Sequence, residues 1–282
     1  MSLLEPSRGG LFVDCTAGLG GHTAELLDAG ASRVLCLDRD REALAIAHER
    51  LAPFEGRVEL VHSDYRQLDN VLQERGISAV AGILADLGVS SMQFDAEGRG
   101  FSFRRDEPLD MRMDRSQGPS AAALIAQVEE GDLADVIFRF GEERHSRRIA
   151  RAIVRERAVR PIETTGALAA IVRRAMPVRG YQRIDPATRT FQALRIWVNR
   201  ELEGLDTFLG QAARRLLAGA RFVVITFHSL EDRIVKHTFR ALAAAEDSWR
   251  VLTRKPVVPG DEELTRNPRA RSAKLRAIER LA

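Results

Sequence analysis

The stretch LFVDCTAGLGGHTAELLDAG, Leu11 to Gly30, decides the fold. It opens as a short apolar run, passes through a glycine-rich turn, and continues as a helical stretch over Thr23–Ala29 that Gly30 stops. Strand, glycine turn and helix make the first half of a parallel crossover unit. The second half follows at once: Arg33–Leu37 is apolar and ends at Asp38, and Arg41–Leu51 is helical and closes before Pro53. Val58–Val61 and Val80–Ala85 read as two further strands, the last ending at Asp86. Repetition at this spacing predicts a parallel sheet with right-handed crossovers.

The pattern then changes. From Pro119 to Leu217 the signals are helical throughout. Asp132 caps Leu133–Phe140, and Glu142–Arg157 is an amphipathic basic helix broken at Pro161. Thr164 or Thr165 caps the next helix. Pro186 opens Ala187–Glu203, and Gly204 divides that helix from Leu205–Leu217. Strand character returns at Arg221–Phe227 and runs into the helix Leu230–Leu242. The expected fold is α/β, a Rossmann-like domain over 1–106 and 207–282 interrupted by an all-helical insertion over 107–206.

The 282 residues are 45% hydrophobic and 29% charged, a globular balance that excludes wholesale disorder. No apolar run reaches the roughly 18 residues of a spanning helix, and Met1–Gly10 lacks a secretory pattern, so a cytoplasmic location with no membrane contact is expected. Cys15 and Cys36 sit in apolar runs without a CxxC pair, which reads as two buried thiols and no metal site. Between Arg139 and Arg195 fourteen arginines face five acids, a net of +9 in a chain whose total is +3. From Leu264 onward six basic residues face Glu279 alone. This asymmetry suits a polyanionic partner, although with 40 arginines and three lysines arginine is also the default surface cation here.

Ligands of an open parallel sheet collect at the carboxyl ends of its strands. Those ends carry Thr16–His22, Asp38, Asp64–Tyr65, Asp86–Ser91 and His228–Asp232. The glycines allow a ligand to touch backbone at a helix N-terminus, and Asp38, 20 residues after Gly18, is placed to accept both hydroxyls of a ribose. A dinucleotide fold wants G-x-G-x-x-G and a pyrophosphate on the helix dipole. Here the pattern is G-x-G-G with an acid, Asp14, inside the turn, which repels an anion and suits the cationic sulfonium of S-adenosylmethionine. Tyr65 is placed to cover an adenine, or is a half-buried aromatic. Phe94, Phe101 and Phe103, in the loop after the fourth strand, either stack on an unstacked base or belong to a core.

The motifs DLGVSSMQFD (86–95), RGFSF (99–103), PLDMRMD (108–114), FGEERHSRRIARAI (140–153), RPIETT (160–165), PATRTFQALRIWVN (186–199), TFHSLEDRIVK (226–236) and NPRARSAKLR (267–276) resemble the bacterial 16S ribosomal RNA cytosine-N4 methyltransferase family. The resemblance runs from about Phe12 to Arg276. It implies methyl transfer from S-adenosylmethionine to the exocyclic N4 of a cytosine near the ribosomal P site, by a class I methyltransferase domain whose helical insertion recognises RNA. Carried over by position, Gly20, Gly21 and His22 contact the cofactor, Asp38 holds the ribose, Tyr65 the adenine, and Asp86 and Gln93 the methionine end. Tyr65 stands where relatives often have Phe, and Met92 where Pro is frequent. Relatives also have a longer segment before the first strand, which puts one wall of the cofactor site in question.

An amine of this kind needs acceptors and alignment rather than a metal. The Asp/Asn-Pro-Pro-aromatic tetrapeptide of other amino-methyltransferases is absent, so Asp86 is the first catalytic candidate. His228 is a second, as proton acceptor, unless Ser229–Asp232 is a helix cap and His228 merely leads into it. Arg144, Arg147, Arg148, Arg151 and Arg155, and the tail Arg266–Arg280, are candidates for RNA contact. The expected partner is 16S rRNA within the 30S subunit or a late precursor, with a homodimer admitted. Competing readings are an inactive RNA-binding assembly factor, an amino-methyltransferase acting on another RNA or DNA, and an NAD-dependent oxidoreductase.

Overall fold

Phe12, Val34, Cys36, Leu84 and Val223 pack in one buried cluster, and their strand neighbours Val13, Leu35, Leu37, Ile83, Phe222 and Val224 in another. That alternation is the signature of a sheet covered on both faces. The computed structural model describes residues 1–177 and 184–282; Arg179 and Arg183 of the basic stretch lie outside them. In chain order the elements are β1 (Leu11–Asp14), α1 (Gly21–Asp28), β2 (Arg33–Asp38), α2 (Arg41–Arg50), β3 (Val58–His62), α3 (Leu68–Glu74) and β4 (Val80–Asp86). Then come α4 (Ser91–Asp95), α5 (Ala121–Gln127), α6 (Glu130–Gly141), α7 (Ser146–Arg157), α8 (Thr165–Ala175) and α9 (Ala187–Asn199). The chain closes with α10 (Leu205–Arg214), β5 (Leu216–Thr226), α11 (Ser229–Ala245), β6 (Trp249–Val251), α12 (Asp261–Arg266) and β7 (Lys274–Arg280). It divides into two compact units, Met1–Gly88 with Leu202–Ala282, and Val89–Glu201.

The first unit holds a seven-stranded sheet in the order β3-β2-β1-β4-β5-β7-β6. The strands from β1 to β5 run parallel, and β7 lies antiparallel between β5 and β6. Helices α3, α10 and α11 supply Leu72, Leu209 and Phe239 to one core, while α1 supplies Leu26 and Leu27 to the other.

Sequence periodicity does not reveal β7. Its residues Arg276 and Glu279 are charged yet only 5% and 4% exposed, so the strand does not look apolar. Asp232 of α11 accepts from Arg276 at 2.6 Å, and Glu279 takes Arg221 and Arg250. Much of the basic tail is therefore internal structure: Arg276 is buried in its ion pair, and Arg280 donates to the carbonyls of Arg214 and Leu216. Leu216 and Leu217 also belong to β5 rather than to the preceding helix, because the strand continues past a register shift opposite Val80.

The second unit is built on α5 to α9 around Leu133, Ile137, Ile149, Ile153, Leu168 and Leu194. Its lower boundary falls at 88/89 rather than 106/107, because Phe101, Leu109, Met111 and Met113 join this core. At the other end it closes at 201/202 rather than 206/207. The helix read as Glu142–Arg157 starts at Ser146; Glu142 takes a left-handed φ of 49° that ends α6. The helix read to Glu203 stops at Asn199, where Arg200 is left-handed at φ 51°. Asn199 then holds the loop before α5, accepting from Met113 N at 2.8 Å and donating to Met111 O at 2.8 Å. Buried Arg99 donates to Met113 O at 3.0 Å. The long motifs that carry the family resemblance are thus largely the scaffold of this unit.

Phe103 meets Phe191 at 4.7 Å between ring centroids, and Phe94 meets Phe101 edge-on at 6.2 Å. Phe101 is buried in this core, and Phe94 and Phe103 pack against it half-buried.

Candidate active site

Four strand ends of the first unit bring the predicted residues together by register. Asp14 pairs Cys36 across β1 and β2 and Leu84 across β1 and β4, and Asp38 pairs His62. The turn after β1 is closed by Thr16, whose Oγ1 accepts from the backbone N–H of Asp86 at 2.6 Å. Thr16 belongs to the strand-end segment Thr16–His22, but its particular role, tying that turn to β4, is not legible in the sequence.

Asp14 sits beneath the turn, 1% exposed, accepting from Thr16 N at 3.2 Å and from the Thr23 hydroxyl at 2.8 Å. Burial pushes its carboxyl up from the ordinary range. The place of Asp14 in the turn suggests that it faces a ligand; its direction, invisible in the sequence, makes it the anchor of the loop instead. The acid with capacity to spare is Asp86. Its Oδ2 lies 3.4 Å from His22 Nε2, while Oδ1 is buried with no hydrogen-bond partner among the described residues. A buried carboxylate oxygen left unpaired is costly unless a donor reaches it. The hydrogen bond to Asp86 raises His22 to about 9, against the opposing effect of burial, so the imidazole is a cation at neutral pH.

Asp38 ties the glycine loop to β2. Its Oδ2 accepts from Gly18 N at 2.7 Å and its Oδ1 from Asp40 N at 2.8 Å. Burial lifts its carboxyl to about 6 against the pull of those two amides. Each oxygen keeps a second lone pair for a hydroxyl. Gly20 is left-handed at φ 78°, and a Cβ there would stand 2.8 Å from Leu51 Cδ1, so any other residue is strained there and displaces Leu51. At Gly21 the nearest atom to an added Cβ is Arg50 Nη1 at 3.9 Å, and the α1 N-terminus has neither a side-chain cap nor an acid in its first turn. Its amides are open to an acceptor.

Tyr65 follows β3, its ring 4.6 Å from Phe208 between centroids and 5.6 Å from the Arg66 guanidinium. Arg66 is in turn held by Asp64. The ring is half-buried and braced against the core, which serves both readings of it. Met1–Leu4 line a cavity of about 110 Å³ with His22, Glu25 and Leu84.

His228 has become the N-cap of α11: its Nδ1 accepts from Glu231 N at 3.4 Å and its Nε2 lies 3.2 Å from Glu231 Oε1. Glu231 also accepts from Phe227 N at 3.1 Å. The cap anticipated at Ser229 therefore sits one residue earlier. Gln93 belongs to the second unit, where its Oε1 accepts from Ser90 N at 3.0 Å in a capping box that starts α4.

A glycine loop tied to the Asp38 carboxylate, and at the fourth strand an acid with one buried unpartnered oxygen, on a sheet whose seventh strand is antiparallel, define a Rossmann-like methyltransferase rather than an all-parallel dinucleotide fold. The description "MraW methylase family" matches residues 1–281. The chain belongs to the MraW methylase family. It is similar to proteins named ribosomal RNA small subunit methyltransferase H. That of Bradyrhizobium diazoefficiens is 50% identical over 98% of this chain and 88% of its own length. That of Sorangium cellulosum is 49% identical over 100% and 88%, and that of Geotalea uraniireducens 48% identical over 99% and 95%. Among the described residues no helix is long and apolar enough to cross a membrane.

Proposed function

We propose that this chain moves a methyl group from S-adenosylmethionine to the exocyclic N4 of one cytosine in the P-site region of 16S rRNA, with the 30S subunit or a late precursor as substrate and the cytoplasm as its setting. The observation that carries the site is the buried, unpaired Oδ1 of Asp86 beside a protonated His22 and the Asp38-anchored glycine loop. These residues fit the donor: amides of the α1 start and the Asp38 carboxylate suit a ribose and its flanking groups, Tyr65 offers a braced ring to an adenine, and Asp86 suits an ammonium or an amine.

When bound, S-adenosylmethionine supplies an electrophilic methyl group. The chain's own part is positional and electrostatic. A cytosine amine is a poor nucleophile because its lone pair is delocalised into the ring. An acceptor that holds one of its N–H groups favours the pyramidal nitrogen and fixes its direction. Asp86 is the residue we assign to that task. His228 was also a candidate to take the released proton. With Nδ1 held by a backbone N–H and Nε2 against Glu231, its surroundings favour a positioning role for the turn after β5.

The deciding experiment is methyl transfer from labelled S-adenosylmethionine to unmodified 30S subunits, followed by nucleoside digestion and mass spectrometry. N4-methylcytidine at a single site is the expected outcome. Absence of transfer, in a protein whose melting temperature still rises with S-adenosylhomocysteine and not with NAD, would overturn the substrate and favour an assembly factor or a different nucleic acid.

A further inference from the structure

The arginines of α7 divide into two kinds. On the buried side Ile149, Ala150 and Ile153 enter the core of the second unit. Opposite them Arg147, Arg148, Arg151 and Arg155 are exposed, within an arc of about 100° at 3.6 residues per turn. Arg144, exposed just before the helix, continues the row. Arg151 reaches Glu130 at 3.4 Å, but Arg144, Arg147, Arg148 and Arg155 pair with no described residue. The nearby acids are taken elsewhere: Glu156 by Arg160 and Arg174, and buried Glu143 by the N–H of His145 and by Arg189.

This arrangement works against the folded helix. Arg147 with Arg151, and Arg151 with Arg155, are like charges four residues apart on one helix face, an unfavourable spacing. Arg147 and Arg148 lie in a first turn that holds no acid, at the positive end of the helix dipole. A merely solvated face would carry compensating acids, as other arginines of this unit do. Arg112 is paired with Asp110, Arg173 with Asp185 and Arg195 with Glu201.

We infer that the exposed ridge Arg144–Arg147–Arg148–Arg151–Arg155 is a phosphate track for the substrate RNA, reading backbone and not bases. This rests on the reading above that the methyl acceptor is RNA. Successive arginines four apart rise about 6 Å along the axis, so the ridge offers several separate cations to a strand laid along it.

The test compares the wild-type chain with R147A/R148A/R155A, with the corresponding triple Lys variant, and with R240A/R254A on the first unit as a charge control. Affinity for short single-stranded RNA of mixed sequence is measured by anisotropy from low to moderate salt, alongside KM and kcat on unmodified 30S subunits. The Ala triple should lose at least about tenfold in RNA affinity, and its salt slope should fall by about 2, at roughly 0.7 per lost phosphate contact. KM should rise while kcat and S-adenosylhomocysteine affinity hold, and the melting temperature should stay or increase. The Lys triple should retain most binding, since a phosphate accepts a point charge. Unchanged RNA affinity and slope in the Ala triple, or an equal loss in the control, would overturn the track. Wild-type protein that methylates 30S subunits while the Ala triple keeps its KM and slope defeats the track and leaves the function. A slope that falls in a chain that methylates no ribosomal RNA defeats the function and leaves the track.

Discussion

Asp38 carries two duties, and they have different pH signatures. It fastens the glycine loop through Gly18 N at 2.7 Å, and it is the acceptor proposed for the ribose. With its carboxyl lifted to about 6, the folded protein retains a proton that an unfolded chain has already lost, so stability falls as pH rises from the unfolded value toward 6. Cofactor binding follows the opposite course, since only the carboxylate accepts two hydroxyls. Calorimetric affinity for S-adenosylhomocysteine should therefore drop as pH is lowered through about 6, and Asp38→Ala should cost about 1–3 kcal/mol of binding at neutral pH. Unchanged affinity in that variant would remove Asp38 from the site. His22 shows the reverse case. Its folded value, about 9, lies above the ordinary imidazole value of 6.5, so the pair with Asp86 stabilises fully below 6.5 and is lost as pH climbs through 9. The difference in melting temperature between wild type and His22→Ala should shrink between pH 7 and pH 10. A constant difference would mean that His22 acts through packing alone.

At the scale of elements, the start of α11 is where chemistry and architecture are easiest to confuse. A histidine at a strand's carboxyl end looks like a base, and the same position is a helix N-cap. His228→Asn separates the two, because an asparagine side chain caps well and takes no proton at neutral pH. Retained turnover and stability in His228→Asn, with a loss of about 0.5–2 kcal/mol in His228→Ala, is the expected outcome in chemical denaturation and initial-rate assays. A rate collapse in the Asn variant at full stability would restore His228 as proton acceptor. The glycine loop poses the complementary case. Gly20 is favoured by its left-handed backbone and by Leu51 together, while Gly21 has room to spare, though sequence spacing treats the two alike.

The whole molecule depends on a charged link that hydrophobic patterning conceals. Arg276 of β7 donates to Asp232 of α11 at 2.6 Å, and Lys274 reaches the same acid at 3.4 Å. Burial pushes the Asp232 carboxyl up, yet the two cations hold it below its ordinary value. Its contribution to stability is present above the unfolded carboxyl range and is lost as pH falls through that lowered value. Asp232→Asn strands a guanidinium that is 5% exposed, and removing one partner of a buried pair costs about 3–5 kcal/mol. Urea unfolding should show that loss; a change under about 1 kcal/mol would show that solvent already satisfies Arg276. The same link fastens α11 to β7, the antiparallel strand between β5 and β6 that distinguishes this sheet from a purely parallel one.

Strand periodicity and glycine spacing made the parallel half of the sheet legible in the sequence, and the acids Asp38 and Asp86 at two strand ends marked the edge where site candidates gather. These features are local: two-residue alternation and a turn of fixed length need no distant partner to be recognised. The tertiary structure alone decided the direction of each acid. It turned Asp14 inward to Thr16 and Thr23, left Asp86 with an unpaired oxygen, and set His228 as the N-cap of its own helix. It also decided that Arg276 and Glu279 are interior while Arg147 and Arg155 are exposed. A charged side chain reads the same in sequence whether its partner lies across the sheet or is absent. Which of these holds is fixed by contacts tens of residues away, and only folding brings those together.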